Sequence, residues 1–545
     1  MKRLLLPLTL MLIFTAGASP GAVIVVDCSG GGDHLALREG IEAAASGDTV
    51  LVAPGVYAGP DNRDLDFAGK AIVVLSESGP EDTVIDCGSE ARAFDFHSGE
   101  SMSARLSGFT ITNGSAANGG AVFCRNTSRP TIDDCVLTAN RATDDGGALC
   151  VISSAGPILE DIVFEANEAG LRGGAICTSH GRPVLKACSF TGNSAPYGGA
   201  MMLDYDMYVL MEDCDFTGNS ALEGGAIFDY GSSPSIKRST FTDNHGNGPT
   251  GYSFGGAVCI INSDYAVLED CVFERNSIHG VFGFGGGMAV HMARATVTSC
   301  EFISNTATGE DAGIGGGVYC YNEDDNWGPC SSFDDCTFTG NCGHQGGGMC
   351  CQNTSAPITS CTFIGNSAWV GGGAHLSSHP GPFSDCVVVE NIAEGYGGGL
   401  SLGSNTSVAT NATVARNVAP NGSGVSCSAN SEPRILNSII AFNEPSAGVW
   451  YSESVGLLTI LCCDIYGNAG GDWVGCIEGL VGVDGNLCAD PLFCGAESGD
   501  FSIDSTSPCA PANGPECGLI GALGVGCETT AVRPATWGAI KSMYR

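Results

Sequence analysis

Residues 212–229 read EDCDFTGNSALEGGAIFD and hold one complete copy of a motif that recurs through most of the chain. Cys214 and Phe216 alternate with polar residues, which is the period-two pattern of a β-strand with one buried face. Asn219 follows this strand, and a glycine pair at 224–225 precedes a second apolar run. Because small residues permit a sharp bend, the motif predicts two short strands joined by tight corners.

Asparagines at one position of the motif recur with a nearly constant spacing. Ten of the thirteen steps between them are 25 to 27 residues long, and the others are 29, 32 and 36. With a third apolar stretch before each cysteine, this period predicts an all-β parallel β-helix of ~25-residue coils, each stacked at ~4.8 Å on the next. Helical repeats are the alternative, which a glycine pair in nearly every unit disfavours. The asparagines are Asn113, Asn140, Asn167, Asn193, Asn219, Asn244, Asn276, Asn305, Asn341, Asn366, Asn391, Asn417, Asn443 and Asn468.

Stacking makes specific predictions for these positions. Each asparagine is expected to adopt a left-handed turn and to bond its amide to the equivalent amide one coil away. The residue three positions earlier is phenylalanine in eight consecutive units, which predicts a column of inward-facing rings. These phenylalanines are Phe164, Phe190, Phe216, Phe241, Phe273, Phe302, Phe338 and Phe363.

The 28 cysteines fall into different classes. Nine lie five residues before a repeat asparagine and point inward; we expect buried thiols, because stacked Cβ vectors run parallel and suit a disulfide poorly, although disulfides are the alternative. Six others lie between Cys476 and Cys527, in a Gly- and Pro-rich region where disulfides are expected. The nine are Cys135, Cys188, Cys214, Cys271, Cys300, Cys336, Cys361, Cys386 and Cys463.

The first 22 residues have the layout of a secretory signal peptide. Lys2 and Arg3 precede an apolar run at 4–15, and small residues allow cleavage after Ala18 or Ala22. No later segment has the eighteen or more apolar residues of a membrane span. The sequence therefore predicts a secreted or surface-located protein without a transmembrane segment, in a compartment that permits disulfides.

The charge balance narrows the range of partners. Asp and Glu number 59 against 22 Lys and Arg, which gives a formal charge of −37. Such a field repels nucleic acid and anionic membranes, so neither is expected to bind. Glycans and extracellular protein surfaces remain as candidate partners, and an acidic balance that serves solubility alone is the other interpretation.

Two short patterns carry a resemblance to a known family. Eight literal FxxN units run from Phe164 to Asn366, and GGA followed by Ile, Leu or Val occurs five times between 119 and 258. The chain thereby resembles secreted right-handed parallel β-helix proteins of the pectin-lyase-like fold, with repeats similar to those of polymorphic outer membrane proteins. The resemblance implies an N-terminal cap and first coils at 23–107, with His34–Ala45 as a short amphipathic helix, repeats at 108–470, and a Cys-rich terminal coil and cap at 471–527. A tail at 528–545 follows, as a sorting signal or as a frayed end.

Longer loops suggest a binding face. Residues 245–254, 277–284 and 306–314 replace the usual four or five residues before the glycine corner, and Tyr321–Phe333 extends the next strand. Outward positions of the strand between these insertions carry an aromatic row that suits sugar rings or an extended polypeptide. The alternative is that the loops fold down and bury the row. The predicted binding residues are Phe123, Phe228, Tyr230, His291, Tyr319, Tyr321 and His375.

Evidence for catalysis is weaker. Asp204, Asp206 and Asp229 lie near the aromatic row, but no outward Lys or Arg accompanies them, and a hydrolase would need two of the carboxylates to converge. No cofactor is predicted, with Ca²⁺ at Glu323, Asp324 and Asp325 as the one candidate, against the alternative that these acids are simply solvated. The sequence favours a structural or adhesive protein that binds glycan or protein, with a carbohydrate-active enzyme, either lyase or hydrolase, as the alternative.

Overall fold

The computed structural model describes residues 21–206, 208–249, 251–322, 331–403, 407–428, 432–452 and 458–527. Within them the chain forms the predicted all-β parallel solenoid, built from long sheets of 17, 16 and 14 strands. Each coil from the third to the last but one contributes one strand to each sheet, and neighbouring coils pair in parallel. We name these sheets 1, 2 and 3 in the order in which the chain visits them within one coil.

The motif at 212–229 shows how the sequence produces a coil. Val209–Glu212 belongs to sheet 1, and Asp213 in the left-handed region turns the chain into Asp215–Thr217 of sheet 2. Phe216 points inward there and is fully buried. Beyond the glycine corner, Ile227–Tyr230 belongs to sheet 3.

The strand bounds repeat this plan. Sheet 1 contains Val23–Val26, Thr49–Val52, Val73–Ser76, Arg105–Ser107, Thr131–Asp133, Ile158–Glu160, Val184–Lys186, Val209–Glu212, Pro234–Lys237, Ala266–Glu269, Ala295–Thr298, Ser332–Asp334, Ile358–Thr359, Pro382–Ser384, Val408–Thr410, Arg434–Leu436 and Thr459–Leu461. Sheet 2 contains Gly55–Ala58, Thr83–Asp86, Thr110–Thr112, Val136–Thr138, Val163–Glu165, Ser189–Thr191, Asp215–Thr217, Thr240–Thr242, Val272–Glu274, Glu301–Ile303, Thr337–Thr339, Thr362–Ile364, Val387–Val389, Thr413–Ala415, Ile439–Ala441 and Asp464–Tyr466. Sheet 3 contains Phe94–Phe96, Val122–Cys124, Leu149–Ile152, Ile176–Ser179, Met201–Asp204, Ile227–Tyr230, Val258–Ile261, Met288–His291, Val318–Tyr321, Met349–Gln352, Ala374–Ser377, Leu400–Gly403, Val425–Cys427 and Val449–Tyr451.

Short strands bridge sheets 2 and 3 in many coils. They are Ser115–Asn118, Arg141–Asp145, Glu168–Ala169, Ser220–Ala221, His245–Asn247, Tyr252–Phe254, Ser277–Phe284, Thr306–Ile314, Ser367–Val370, Ile392–Tyr396, Val418–Ala419 and Glu444–Pro445. Two of them, Ser277–Phe284 and Thr306–Ile314, are the long insertions predicted from the sequence, and they pair with each other along most of their length. The insertions therefore form a continuous ribbon at this corner.

The predicted phenylalanine column is confirmed. The rings from Phe164 to Phe363 stack face to face, with centroids 4.6 to 5.0 Å apart and interplanar angles of 10° or less. This separation is that of neighbouring strands, so each ring covers the ring of the next coil and keeps it from water.

The asparagine ladder exists, with two corrections to the prediction. Asn140 to Asn468 form it, and from Asn167 onward each Oδ1 accepts bonds from the backbone N–H and the Nδ2 of the asparagine one coil earlier. Asn113 does not belong to it, because Gly114 occupies the ladder position in that coil and donates its N–H to Asn140. The left-handed residue is the one before each asparagine, as at Ala139 with φ 54°, so the asparagine supplies the ladder and its neighbour supplies the turn.

The glycine corner serves two purposes, as Gly224 and Gly225 show. Gly224 has φ +61°, a conformation that residues with a Cβ rarely adopt. A Cβ on Gly225 would lie 2.0 Å from the carbonyl oxygen of Gly256 in the next coil. The second glycine is therefore required by the close approach of stacked coils.

The expectation for the cysteines is confirmed for the nine inward thiols and only in part for the C-terminal six. All nine that precede the asparagines are buried thiols. Disulfides join Cys494 to Cys527 and Cys517 to Cys462, so the second bridge ties the terminal cap to the last coils. Cys488 and Cys509 are free.

Both predicted caps have recognisable elements. The N-terminal helix spans Leu37–Ala43 and buries Leu37 and Ile41 against the first coil. At the other end, Phe493–Gly495, Asp500–Asp504 and Val525–Cys527 form a small sheet. Single 3₁₀ turns occur at Pro60–Asn62, Gly475–Leu480 and Ala496–Ser498. None of the helices in the described ranges is long and apolar enough to cross a bilayer.

Candidate functional site

The predicted aromatic row lies on the outer face of sheet 3, in register between coils. Phe123, Phe228, Tyr319 and His375 occupy one line of paired positions. Tyr230, His291 and Tyr321 occupy the neighbouring line.

The expectation that this row is exposed is wrong at its centre. Phe228 and Tyr319 are only 7 % and 4 % exposed. The corner ribbon carries Phe284 onto Tyr319, with ring centroids 4.7 Å apart, and Tyr197 covers Phe228 at 5.4 Å. Burying these rings removes a large apolar area from water, so the loops fold down, as the alternative interpretation proposed.

The remaining members of the row are partly buried. The guanidinium groups of Arg92 and Arg125 lie 4.8 and 5.3 Å from the centroid of the Phe123 ring. His291 stacks on Tyr321 at 5.1 Å. Burial lowers the pKa of His375 to about 4, so its imidazole is neutral at pH 7. Ligand contact by these seven side chains stays a prediction.

The candidate catalytic acids do not meet in an open groove. Asp229 is fully buried on the inner side of sheet 3, where it accepts hydrogen bonds from the hydroxyl of Ser263 and the N–H of Ser232. Asp206 is 2 % exposed at the next corner and accepts a bond from the N–H of Gly181. Burial raises the pKa of both carboxyls to about 7.

Asp204 is held differently. Its Oδ2 lies 3.1 Å from Nη1 of Arg172, which also binds Asp145 through Nη2 at 2.6 Å. The hydrogen bonds to Asp145 raise the pKa of Arg172 further above its usual range. This guanidinium was not expected from the sequence, and it locks Asp204 in an ion-pair network along the solenoid.

The candidate calcium ligands Glu323, Asp324 and Asp325 lie outside the described residues. Among the residues that the structure does describe, no group of three or more His, Cys, Asp or Glu side chains could hold a metal ion.

A groove that the sequence did not predict lies at the corner between sheets 2 and 3. It has a volume of about 480 Å³. Thr306–Ile314 forms one wall, Ser367–Val370 the centre, and Ile392–Tyr396 the other wall. We call it the Trp369 groove. Its lining residues are Ala307, Thr308, Gly309, Glu310, Asp311, Ala312, Gly313, Cys342, Gly343, His344, Ser367, Ala368, Trp369, Ile392 and Glu394.

The indole of Trp369 dominates this groove and is 45 % exposed. His344 of the preceding coil lies nearly parallel to it, with centroids 6.4 Å apart and an interplanar angle of 8°. Gly395 lies directly beside the ring, since a Cβ there would be 2.9 Å from Cε2 of the indole. The side-chain amide of Asn421 donates to the carbonyl of Gly395 and holds that backbone in place.

The pairing of the strands explains why Trp369 is exposed. Ser367–Val370 pairs with Ile392–Tyr396, but the register shifts between Ala368 and Val370. An irregularity of this kind re-aims a side chain in the middle of a strand. Ala368 remains buried while its neighbour Trp369 projects into the groove.

Three of the polar side chains in the groove are acidic. Glu310 and Asp311 come from one wall and Glu394 from the other, and His344 lies between them. All four side chains are exposed. Hydroxyl or amino groups of a ligand could donate hydrogen bonds to these carboxylates, while the indole would cover an apolar face.

Comparison with known proteins supports the architecture. The family described as "Right handed beta helix region" matches residues 95–254, 173–392 and 316–486, which together cover more than half of the chain. The chain belongs to this right-handed β-helix family. The handedness predicted from the resemblance is thereby supported for this β-helix protein, while the likeness of its repeats to polymorphic outer membrane proteins stays a prediction. No curated protein sequence matches the chain.

Several solved structures resemble the β-helix protein. The catalytic unit of a GH87 alpha-1,3-glucanase from Streptomyces thermodiastaticus is 14 % identical, with a TM-score of 0.30. The match covers 81 % of this chain and 66 % of the glucanase unit, so the chain spans just under two thirds of that unit. A PL6 family alginate lyase is 10 % identical, with a TM-score of 0.32 over 81 % and 80 % of the two chains. The A-module of an Azotobacter vinelandii mannuronan C-5 epimerase is 14 % identical, with a TM-score of 0.28 over 83 % and 93 %. Because all three TM-scores are below 0.5, these likenesses carry no argument about this chain.

Proposed function

We propose that the β-helix protein is an exported, non-catalytic binder of glycans and that the Trp369 groove is its binding site. The observation that carries this proposal is the indole of Trp369, 45 % exposed in an open groove of about 480 Å³. An exposed tryptophan has a large apolar area that a partner can cover, and a concave site lined by an aromatic ring with polar groups around it is the usual form of a ligand site. Export rests on the signal-peptide pattern at 1–22.

The shape of the groove suits a sugar chain. A pyranose ring has one apolar face and a rim of hydroxyl groups, so it needs a flat ring beneath it and hydrogen-bond acceptors around it. Trp369 supplies the flat ring, and Glu310 and Glu394 supply acceptors on opposite walls. Because the walls are short strands of the solenoid, the site is largely preformed and its ordering costs little on binding.

A non-catalytic role is favoured by where the candidate acids lie. Asp206 and Asp229 are 2 % and 0 % exposed. Asp204 is paired with Arg172. None of these three acids lines the Trp369 groove. The acids on its two walls, Glu310, Asp311 and Glu394, are exposed, whereas the general acid of a hydrolase is kept protonated by burial. Turnover of a polysaccharide that disappears in an Asp204→Ala variant would contradict this part of the proposal.

The test is glycan binding by wild-type protein and by Trp369→Ala. We expect binding to a subset of glycans on an array, confirmed by calorimetry. Trp369→Ala should lose at least tenfold in affinity, since a stacked aromatic ring contributes about 0.5–1.5 kcal/mol in addition to the apolar area it buries. Tyr208→Ala is the matched control, because Tyr208 is 70 % exposed outside the groove. Unchanged binding in Trp369→Ala, with circular dichroism showing an intact fold, would remove the groove from consideration.

A further inference from the structure

In the stretch of sequence that forms the Trp369 groove, all Asp, Glu, Lys and Arg positions are acidic. From residue 295 to residue 415 the sequence contains eleven Asp or Glu residues and no Lys or Arg. All the strands that form the groove lie within this span. The two cations that bound it are Arg294 and Arg416.

Arg416, the first cation after this span, does not neutralise the acidic charge of the groove. Arg416 lies 3.3 Å from a carboxylate oxygen of Glu390 and 2.6 Å from one of Glu497. Its guanidinium is therefore shared by two acids. The groove as a whole lies in a negative field, which an open concave surface concentrates.

The carboxylates in the groove itself are uncompensated. Glu310, Asp311 and Glu394 are exposed, and within the described ranges none of them is within salt-bridge distance of a Lys, Arg or His side chain. They lie on both walls, with the indole of Trp369 between them. A ligand that lies on the indole would have carboxylates on both sides.

We infer that the Trp369 groove selects glycans that carry free amino groups, that is, polymers of deacetylated amino sugars. This inference rests on the proposed glycan-binding function and adds the substrate class. A protonated amine on each sugar can approach the carboxylates on either wall and the face of the indole, which attracts cations. The same sugar with acetylated nitrogens loses these charge pairs, and a polymer of uronic acids is repelled.

A glycan fits these observations better than a basic peptide. The rings of Trp369 and His344 come from adjacent coils and are nearly parallel, so two aromatic side chains line the groove along the solenoid axis. A stiff chain of pyranose rings can contact both side chains at a small cost in conformational entropy, whereas a lysine-rich peptide is flexible and loses more on binding.

The test compares three matched hexasaccharides by calorimetry: glucosamine, N-acetylglucosamine and galacturonate. At pH 5.5, where sugar amines are protonated and exposed carboxylates are ionised, and at 20 mM salt, we expect the glucosamine oligomer to bind at least tenfold more tightly than the acetylated one. Several exposed charge pairs each contribute a factor of a few, and the uronate should show no binding. Raising the salt to 0.5 M should reduce the preference to less than threefold. Equal affinity for the glucosamine and N-acetylglucosamine oligomers would overturn the inference and leave the proposed function intact.

Two variants separate the inference from the proposed function. The triple variant Glu310→Gln, Asp311→Asn, Glu394→Gln should lose the preference for the amine and keep binding of the acetylated oligomer. Trp369→Ala should lose both. If the triple variant retains the full preference, the carboxylates are not its cause and the inference fails. If hexalysine competes with the glucosamine oligomer at equal concentration, the site recognises positive charge alone and the assignment to glycans fails.

Discussion

At the scale of single residues, the most informative feature is a carboxyl group inside the solenoid. Asp229 lies in the inner column of sheet 3, in register with Leu203 and Ile260. An ionised carboxylate in such a place loses its hydration, and the two donors Ser232 and Ser263 restore only part of it. A polar group retained in an apolar column therefore makes the stability of the fold depend on pH.

The direction of this dependence follows from the pKa. Burial raises the pKa of Asp229 to about 7 in the folded protein, against about 3.9 in an unfolded chain. Between pH 4 and 7 the native state binds more protons than the unfolded state, so stability falls as the pH rises through this window and is lowest above it. We predict that Asp229→Asn, which stays neutral, is more stable than wild type at pH 8, by an amount on the order of 4 kcal/mol.

Thermal unfolding of both proteins at pH 5 and pH 8 measures this effect. The amide introduced by Asp229→Asn could accept from the N–H of Ser232 and donate to Ser263, so the geometry is conserved. Asp264→Asn, at an exposed position, is the control and should leave the pH dependence unchanged. An Asp229→Asn variant with the same loss of melting temperature from pH 5 to pH 8 as wild type would contradict the assignment.

At the scale of elements, the asparagine ladder holds the coils in register. Each rung links a side chain to the next coil and to a strand carbonyl, as Asn305 does with Asn341 and with the carbonyl of Phe273. The ladder ends at Asn468, whose N–H and amide both donate to Asp472. A side chain of the cap thus replaces the missing rung.

We predict that Asn305→Ala costs roughly 3 kcal/mol or more of stability, because it removes the shared acceptor of two buried donors, the backbone N–H and the side-chain amide of Asn276. Denaturant unfolding would measure the loss. Asn247→Ala, at the exposed end of a strand in a nearby coil, should change stability by less than about 0.5 kcal/mol. Equal effects of the two substitutions would show that the ladder is dispensable.

The sequence alone predicts the strands and their inward columns well, because both depend on the local alternation of apolar and polar residues. Phe216 and Cys214 point inward wherever the strand lies, and the repeat places their equivalents one coil away. The groove could not be found in this way. Whether an outward ring such as Trp369 or Tyr319 is exposed depends on the path of a neighbouring loop, and Tyr319 is covered by Phe284 from a separate insertion. The signal that could have indicated the groove is a tryptophan in a short corner loop together with the absence of cations over five coils.

At the scale of the whole molecule, the solenoid is quasi-one-dimensional, so its two ends decide whether it frays. The C-terminal segment folds back over sheet 2 of the last coils. Ile503 and Ile520 pack on Ile439, and Phe501 packs on Val387 and Val389. This segment therefore covers an outer face that would otherwise expose apolar side chains.

The bridge between Cys462 and Cys517 fastens this cover to the last coils, closing a loop of 55 residues. We predict that replacing both cysteines by serine lowers the stability of the cap by about 2–4 kcal/mol. Because each coil contacts only its neighbours, the effect should remain local. Hydrogen exchange should accelerate in Thr413–Ala415, Ile439–Ala441 and Asp500–Asp504, and should be unchanged in the coils before Phe241. Cys342→Ser, which removes an exposed free thiol, is the control.

Faster exchange along the entire solenoid would mean that the coils unfold as one cooperative unit. No change in exchange would mean that the apolar contacts of Phe501 and Ile520 hold the cap without the bridge.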